Sequence, residues 1–492
     1  MPGPCQGLGL APFRPMCYRM RKVNQSAIVF GTDGWRARMG SGFTFRKVRL
    51  FAQAYAHFLQ QRQSRGHEPA VVVNYDTRFL SREFARAAAN ILSRNRIRVW
   101  LPERDAPYPA IALAIVRNEL QGGFSFTASF NPLVDNGIKV FNARGAPALP
   151  SQTLLLEREI ARLEAEFVCK PQYGRPGWVT TFDPRPAYLK YLSAQVRGEC
   201  IRSAGVKVLV DNLYGTARDY LDRFLNDQGI DAQAIHNFAD ANFGNILPSC
   251  SGLNLEELSR LVVERKAAVG LACDIDGDRF GIIDERGRYV AADQVLPAII
   301  EYLITVRLRS GDVIKSLATT DAVDAVAARH SRRVLTTPVG FKYVADLLAQ
   351  KRAFIGVEST NGAAVNGEIV GKDGILSSLL IAEMVAHHRT PLGDILDHFW
   401  HRFNRRYKRE IQLAKTIARK KRFAGLLHGA PPDVGGRRIL HVQLLDGIKF
   451  IFENAWLLLR ESGTRSVFRI YAESGSAAET GELIRWGRDI IA

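Results

Sequence analysis

Three aspartates alternate over five positions in the segment VGLACDIDGDRFGIID (residues 269–284): Asp274, Asp276 and Asp278. Carboxylates this close repel one another unless a cation offsets them. Hard oxygen donors of this kind suit Mg²⁺ or Ca²⁺. The triplet follows directly on an apolar run that reads as a buried strand, an unusual place for a merely solvated acidic loop.

Two other metal readings compete at this point. An EF-hand loop would start at Asp274 and reach Glu285 at its twelfth position, but its sixth position is Arg279 and a strand precedes it. A haloacid-type phosphatase also places Asp-x-Asp after an apolar strand and uses the first Asp as nucleophile.

A second segment, GFSFTASFNPLVDNGIKVF (residues 123–141), ends an apolar run in Thr127, Ala128 and Ser129 before an Asn-Pro turn. The Ser129 hydroxyl is open to a ligand, and a reversal at Asn136-Gly137 would bring Lys139 back beside it. A cation next to a hydroxyl suits a phosphorylated serine, because it offsets the dianion. An ordinary turn with an exposed serine is the alternative.

A third segment, FIGVESTNGAAVNGEIVGKDGIL (residues 354–376), gathers Glu358, Ser359, Thr360 and Asn361, donors and acceptors for a hydroxyl-rich ligand. Polar loops of this composition are also common without one. In a fourth, LLLRESGTRSVFRIY (residues 457–471), Arg460, Ser462, Gly463, Thr464 and Arg469 combine guanidinium groups, hydroxyls and backbone N–H groups around a glycine. That is the make-up of a phosphate nest. A phosphorylatable serine, a hard-metal loop, a hydroxyl-reading loop and a phosphate clamp together describe phosphoryl transfer on a sugar phosphate.

These loops need a scaffold. Strand–loop–helix entries recur at AVVVNYDTR with SREFARAAANILSR (residues 70–94, Ser81 read as helix N-cap), at residues 206–225 and at residues 312–330. The recurrence predicts three similar α/β domains with mixed sheets between helices. After residue 403 the pattern changes to a hairpin around Asp446-Gly447, another strand and a helix. A C-terminal α+β domain with an antiparallel sheet is expected there. Expected bounds are 1–26 for an N-terminal extension, 27–165 for domain I, 175–290 for II, 291–402 for III and 403–492 for IV. The basic runs HRFNRRYKRE and ARKKRF read as solvated surface.

The 492 residues carry 67 Lys and Arg against 49 Asp and Glu, a formal charge of +18 that suits an anionic partner. Small phosphate esters, nucleic acid and membrane surfaces all qualify on charge, but no nucleic-acid motif accompanies it. No apolar run is long enough to span a bilayer. Cys5, Cys17, Cys169, Cys200, Cys250 and Cys273 are scattered without ligand spacing, which points to a reducing, cytoplasmic setting. The first 26 residues, rich in Gly, Pro and Met, lack a transit-peptide pattern. They read as a start assigned too early, with Met16 and Met20 close by.

The order and content of these motifs resemble the α-D-phosphohexomutase superfamily of phosphoglucomutases and phosphomannomutases. Supporting stretches are FGTDGWRA (30–37), YDTRFLSREFA (75–85), TTPVGFKY (336–343) and KDGIL (372–376). The resemblance implies that Ser129 carries the phosphoryl group and joins Asp274, Asp276 and Asp278 in holding one Mg²⁺. It implies that Lys139 and Arg36 lie beside the phosphoserine, that Arg279 follows the metal loop, and that the four domains surround a central cleft. Gly340, Lys342, Glu358 and Thr360 would meet the sugar; Arg460, Ser462, Gly463, Thr464 and Arg469 would clamp the non-reacting phosphate. The implied reaction interconverts hexose 1-phosphate and hexose 6-phosphate, of glucose, mannose or both, through a 1,6-bisphosphate. Glucose 1,6-bisphosphate would be the activator, and the enzyme a monomer or homodimer.

The chain departs from the family pattern where it matters. Phe130 stands where the family has His, Ser359 replaces an acid, Thr360 a serine and Asn361 a glycine. Glu461 replaces a proline, and Arg465-Ser466 replace Glu-Pro. Phosphoglucosamine mutase and a catalytically weakened sugar-phosphate-binding paralogue are the alternative readings.

Overall fold

The computed structural model describes residues 28–62, 68–164, 174–429, 431–463 and 466–492. The N-terminal extension, Cys5, Cys17, Cys169 and Thr464 lie outside the described residues.

The first sheet runs Trp35–Arg38, Asp135–Phe141, Gly123–Phe126, Ala70–Tyr75, Arg98–Pro102 and Val179–Phe182. Its first two contacts are antiparallel and the rest parallel. The second runs Tyr289–Val290, Phe280–Asp284, Val269–Cys273, Val208–Asp211 and Ala232–Ile235, again with two antiparallel contacts and then parallel ones. The third runs Val334–Thr337, Asp312–Ser316, Ala353–Glu358 and Gly362–Val365, with only the last contact antiparallel. Helices cover these sheets, so the inner parallel strands are buried on both faces and read as apolar runs rather than alternating ones. Val71, Val72 and Val73 illustrate this. Outer strands such as Val179–Phe182 and Ala232–Ile235 stay partly exposed.

The three sheets share one device. A parallel strand ends, turns, and returns as an antiparallel neighbour. The turns fall at residues 127–134, 274–279 and 359–361, so each carries one of the candidate motifs. Loops beyond the carboxyl ends of parallel strands are where α/β sheets place their ligands.

The fourth sheet is wholly antiparallel: Tyr407–Ala414, Val467–Ser474, Trp456–Glu461, Ile448–Ile451 and His441–Gln443. Helix Ala477–Ile491 packs on it, and Phe423, Phe450, Phe468 and Leu483 belong to a core of its own. By contrast, one continuous core joins the first three units, from Val72, Tyr108 and Phe141 through Val208 and Leu271 to Val313 and Trp400. The fourth unit meets the third through a small apolar patch, including Leu317, Trp456 and Tyr471, and through ion pairs such as Lys408–Asp293 (2.7 Å) and Lys449–Asp321 (3.3 Å).

Two local expectations change. Ser81 is not an N-cap: Leu80 holds the cap position at φ +61°, and the Ser81 hydroxyl donates to Asp76 Oδ1 at 2.7 Å. The chain does not reverse at Asn136-Gly137. Both residues lie inside the strand Asp135–Phe141, and the reversal precedes it. Glycine is needed at 137 for close approach, since a Cβ there would lie 2.5 Å from the Trp35 carbonyl oxygen and 2.7 Å from that of Thr127. The basic runs lie largely at the surface, as expected, and the first is partly the edge strand Tyr407–Ala414, whose charges suit a strand with one open edge. Among the described residues no disulfide occurs, and no helix is long and apolar enough to cross a membrane.

Candidate active site

Ser129 sits in the turn after Gly123–Phe126, fully buried, at φ +48°. A left-handed conformation is uncommon for a residue with a Cβ and needs support. Thr127 Oγ1 accepts from the Ser129 backbone N–H at 2.9 Å. Arg78 supplies the rest: its buried guanidinium donates to the backbone oxygens of Ser129, Asn131 (2.6 Å), Pro132 (2.8 Å) and Asp135 (3.1 Å). One planar fork of donors thus sets the course of the whole loop.

The Ser129 hydroxyl donates to Asp274 Oδ2 at 3.2 Å, joining the first turn to the second. Asp274, Asp276 and Asp278 are all buried, and one carboxylate oxygen from each lies within 4.8 Å of the others. Gly277 makes the tight turn between them at φ +68°, where a Cβ would also come within 2.7 Å of Pro107 Cβ. Lys139 lies opposite Ser125 in the strand that returns after residues 127–134, not past a turn at Asn136-Gly137. Its ammonium reaches Asp276 Oδ2 (2.7 Å), Asp278 Oδ2 (2.9 Å) and Asp33 Oδ2 (3.0 Å).

Burial opposes ionisation throughout, and the partners decide the outcome. Lys139 is held well above its usual range: burial works against its charge, but Asp276, Asp278 and Asp33 outweigh it. Burial also opposes Asp278, yet Lys139, Lys372 and Arg279 hold its carboxyl low. Burial, with Asp276 and Asp278 beside it, pushes the Asp274 carboxyl well up, more than Arg279 and Lys139 offset. Asp276 Oδ1 and Asp278 Oδ1 have no hydrogen-bond partner among the described residues. Buried oxygens left open and an all-oxygen donor set are what a small hard divalent ion would satisfy. The residues present fit such an ion.

Arg36 lies on the first strand of its sheet and pairs with Asp33 at 3.1 Å; it also donates to Asn131 Oδ1 at 2.9 Å. Arg279 closes the acidic turn, its Nε 3.6 Å from Asp278 and 3.9 Å from Asp274. In the third turn Thr360 donates to Glu358 Oε1 at 2.7 Å. Asn361 adopts φ +61°, which Asn tolerates better than most residues. Its amide donates to the Phe280 carbonyl at 2.8 Å and locks the third turn to the second.

The fourth unit reaches the same place. Arg460 and Arg469 are cross-strand neighbours. Arg460 is held by Asp446 at 3.1 Å, and Asp446 also accepts from the Val339 backbone N–H at 3.0 Å. Arg469 pairs with Glu410 at 3.0 Å. A Cβ at Gly463 would lie 3.1 Å from Thr32 Oγ1, and one at Gly340 3.0 Å from Thr32 Cγ2. Lys342 donates to the Gly31 carbonyl at 3.4 Å, and Ser462 is buried beside Gly463. Loops of the first, third and fourth units therefore meet at residues 31–33, next to Lys139.

Sequence reasoning left several site residues unassigned. Arg78 and Asp33 stood in quoted stretches without a role. Lys372, buried, reaches Asp278 Oδ2 at 3.1 Å and Glu358 Oε1 at 3.5 Å and so bridges two turns. A lysine in a Gly-rich loop just before a helix was its available signal. Asp446 had none beyond its hairpin position.

Comparison with known proteins agrees with this geometry. Phosphoglucomutase/phosphomannomutase domain models match in order: domain I at residues 27–167, domain II at 186–287, domain III at 291–403 and the C-terminal domain at 411–485. The chain is 26% identical to a phosphoglucomutase/phosphomannomutase of Thermococcus kodakarensis, covering 94% of this chain and 98% of that one. It is 27% identical to a phosphoglucosamine mutase of Carboxydothermus hydrogenoformans, covering 93% and 97%. A crystal structure of a provisionally named phosphomannomutase from Thermus thermophilus superposes with a TM-score of 0.81 at 27% identity, covering 94% and 99%. With all four domains present in sequence, the chain belongs to the α-D-phosphohexomutase superfamily and is a phosphohexomutase, an intramolecular phosphotransferase of the isomerase class.

Proposed function

We propose that this phosphohexomutase interconverts the 1- and 6-phosphates of glucose, mannose or both through a phosphoserine at Ser129. The observation that carries the reading is the Ser129 hydroxyl, buried 3.2 Å from Asp274 in a turn that Lys139 ties to the other two aspartates. Mg²⁺, held by Asp274, Asp276, Asp278 and an oxygen on Ser129, would supply positive charge beside the transferring group.

The chain's own residues do the rest. Glu358 and Thr360 accept and orient sugar hydroxyls, with Gly340 and Lys342 at the rim. Arg460, Ser462, Gly463, Thr464 and Arg469 hold the phosphate that does not react. In the first transfer the bond from phosphorus to Ser129 Oγ breaks and a bond to the sugar hydroxyl oxygen forms. The hydroxyl proton leaves, and in the net reaction Oγ gains one. The resulting 1,6-bisphosphate turns end for end, so the clamp must accept either phosphate, and the reverse transfer restores phosphoserine. Lys139, Arg36 and Arg279 stabilise charge on the moving group. Burial of Ser129 keeps water from hydrolysing it. Glucose 1,6-bisphosphate would prime the serine, and the enzyme would work as a monomer or homodimer in the cytoplasm.

A phosphoglucosamine mutase is the second reading, favoured by relatives of that name at similar identity. The test offers glucose 1-phosphate, mannose 1-phosphate and glucosamine 1-phosphate in turn, with Mg²⁺ and a trace of glucose 1,6-bisphosphate. Formation of the 6-phosphate from glucose or mannose, lost in Ser129→Ala, is the expected result. Turnover of the glucosamine ester alone selects the second reading. Binding without any turnover would overturn both.

A further inference from the structure

The residue after Ser129 is a phenylalanine where the family resemblance implies a histidine, and its surroundings are informative. Phe130 is half-buried, and two guanidinium groups lie over its ring: Arg279 at 4.4 Å from the ring centroid and Arg36 at 5.6 Å. The two arginines come from different units, Arg36 from the first sheet and Arg279 from the end of the acidic turn.

Hydrogen bonds do not account for the placement of Arg279. Its ion-pair distances of 3.6 and 3.9 Å exceed hydrogen-bond length, and its buried Nε has no partner among the described residues. Arg36 Nε is likewise buried and unpartnered, although the other end of that guanidinium is held by Asp33 and Asn131. Leaving buried donors unpaired is costly unless a ligand completes them. Two such donors beside a serine that carries phosphate call for an anionic ligand with oxygens on more than one side.

An aromatic face suits this arrangement for a physical reason. It attracts guanidinium groups through its quadrupole without consuming any of their N–H donors. A carboxylate would hold them more tightly but would occupy those donors and repel phosphate. A protonated imidazole would repel them.

We propose that Phe130 is a positioning residue: its ring carries Arg36 and Arg279 side by side, with donors left open for the phosphoryl group in transit at Ser129. The proposal rests on the phosphoserine reading above and names how this chain dispenses with an imidazole at that place. Phe130 acts through the two arginines and touches no reacting atom itself.

The test is a series at position 130, read by steady-state kinetics on glucose 1-phosphate and by calorimetric binding of glucose 1,6-bisphosphate. Melting temperatures check that each variant folds. Phe130→Leu is expected to lower kcat/KM about tenfold and weaken bisphosphate binding by a similar factor, the scale of one or two guanidinium–ring contacts. Phe130→Tyr, which keeps the ring face, is expected to stay within about threefold of wild type. Arg279→Lys should cost clearly less in the Leu background than alone, because the two residues act as a pair.

A Leu variant that matches wild type, a Tyr variant that fails as Leu does, or full additivity with Arg279→Lys would each overturn the proposal. If the wild-type protein turns over no hexose phosphate, the mutase reading fails separately. The binding arm then decides the Phe130 question alone, by the same comparison of Leu with Tyr.

Discussion

At the scale of single residues, Lys139 is the hinge of the electrostatics. Three carboxylates from two loops converge on one buried ammonium. Asp276 has no other ion-pair partner among the described residues. Breaking a buried pair from one side is strongly destabilising, because the charge that remains is uncompensated. Lys139→Met should therefore lower unfolding free energy by about 3–5 kcal/mol in metal-free buffer, measured by urea denaturation. Millimolar Mg²⁺ should recover part of the loss, since a second cation reaches the same carboxylates. The chemistry of this cluster was legible: alternating aspartates after an apolar strand asked for a cation, and Lys139 was assigned to the serine. Its actual bonds were not. Register across a sheet placed Lys139 opposite Ser125, and no local pattern states which strand will be a neighbour.

At the scale of elements, helix Gly374–His388 stands with its start on the acidic turn, where the Gly374 N–H donates to the Gly277 carbonyl at 3.1 Å. Asp373 caps that helix through the Leu376 N–H at 2.8 Å and accepts from Tyr188 at 2.7 Å. Burial pushes the Asp373 carboxyl up to about 6, partly opposed by these hydrogen bonds. A carboxyl whose value is higher folded than unfolded binds more protons in the folded state. Stability then falls as pH rises from about 4, the unfolded value, through about 6, and levels off above. The advantage of wild type over Asp373→Asn should shrink by about 3 kcal/mol across that window, as read from urea midpoints at a series of pH values. Strands and helices of the three α/β units were legible because their periods are strong. The N-cap at Ser81 was misread because a nearby buried acceptor, Asp76, captured its hydroxyl. The edge strand Tyr407–Ala414 was hidden under its charges, which mark an exposed face rather than the absence of a strand.

At the scale of the molecule, three repeats of one topological device deliver three chemically different turns to one place, and a fourth unit with a separate core supplies the remaining loop. A unit with its own core and a partly ionic boundary is suited to move as a body. Asp446 latches it by holding Arg460 and the Val339 N–H together. Asp446→Ala should give a larger radius of gyration without ligand in X-ray scattering, restored by glucose 1,6-bisphosphate. Identical profiles for variant and wild type would count against the latch. The convergence itself was foreseeable only as what a family resemblance implies, because sequence spacing carries no distance between residues 33, 340 and 463.

Ser129 as the phosphoryl carrier is the claim on which the account turns. Purified protein incubated with glucose 1,6-bisphosphate and Mg²⁺, then mapped by peptide mass spectrometry after quenching, tests it directly. The account predicts one phosphoryl group on Ser129, acid-stable and removed by excess hexose 1-phosphate. An unmodified Ser129, or an acyl phosphate on Asp274 instead, would contradict it.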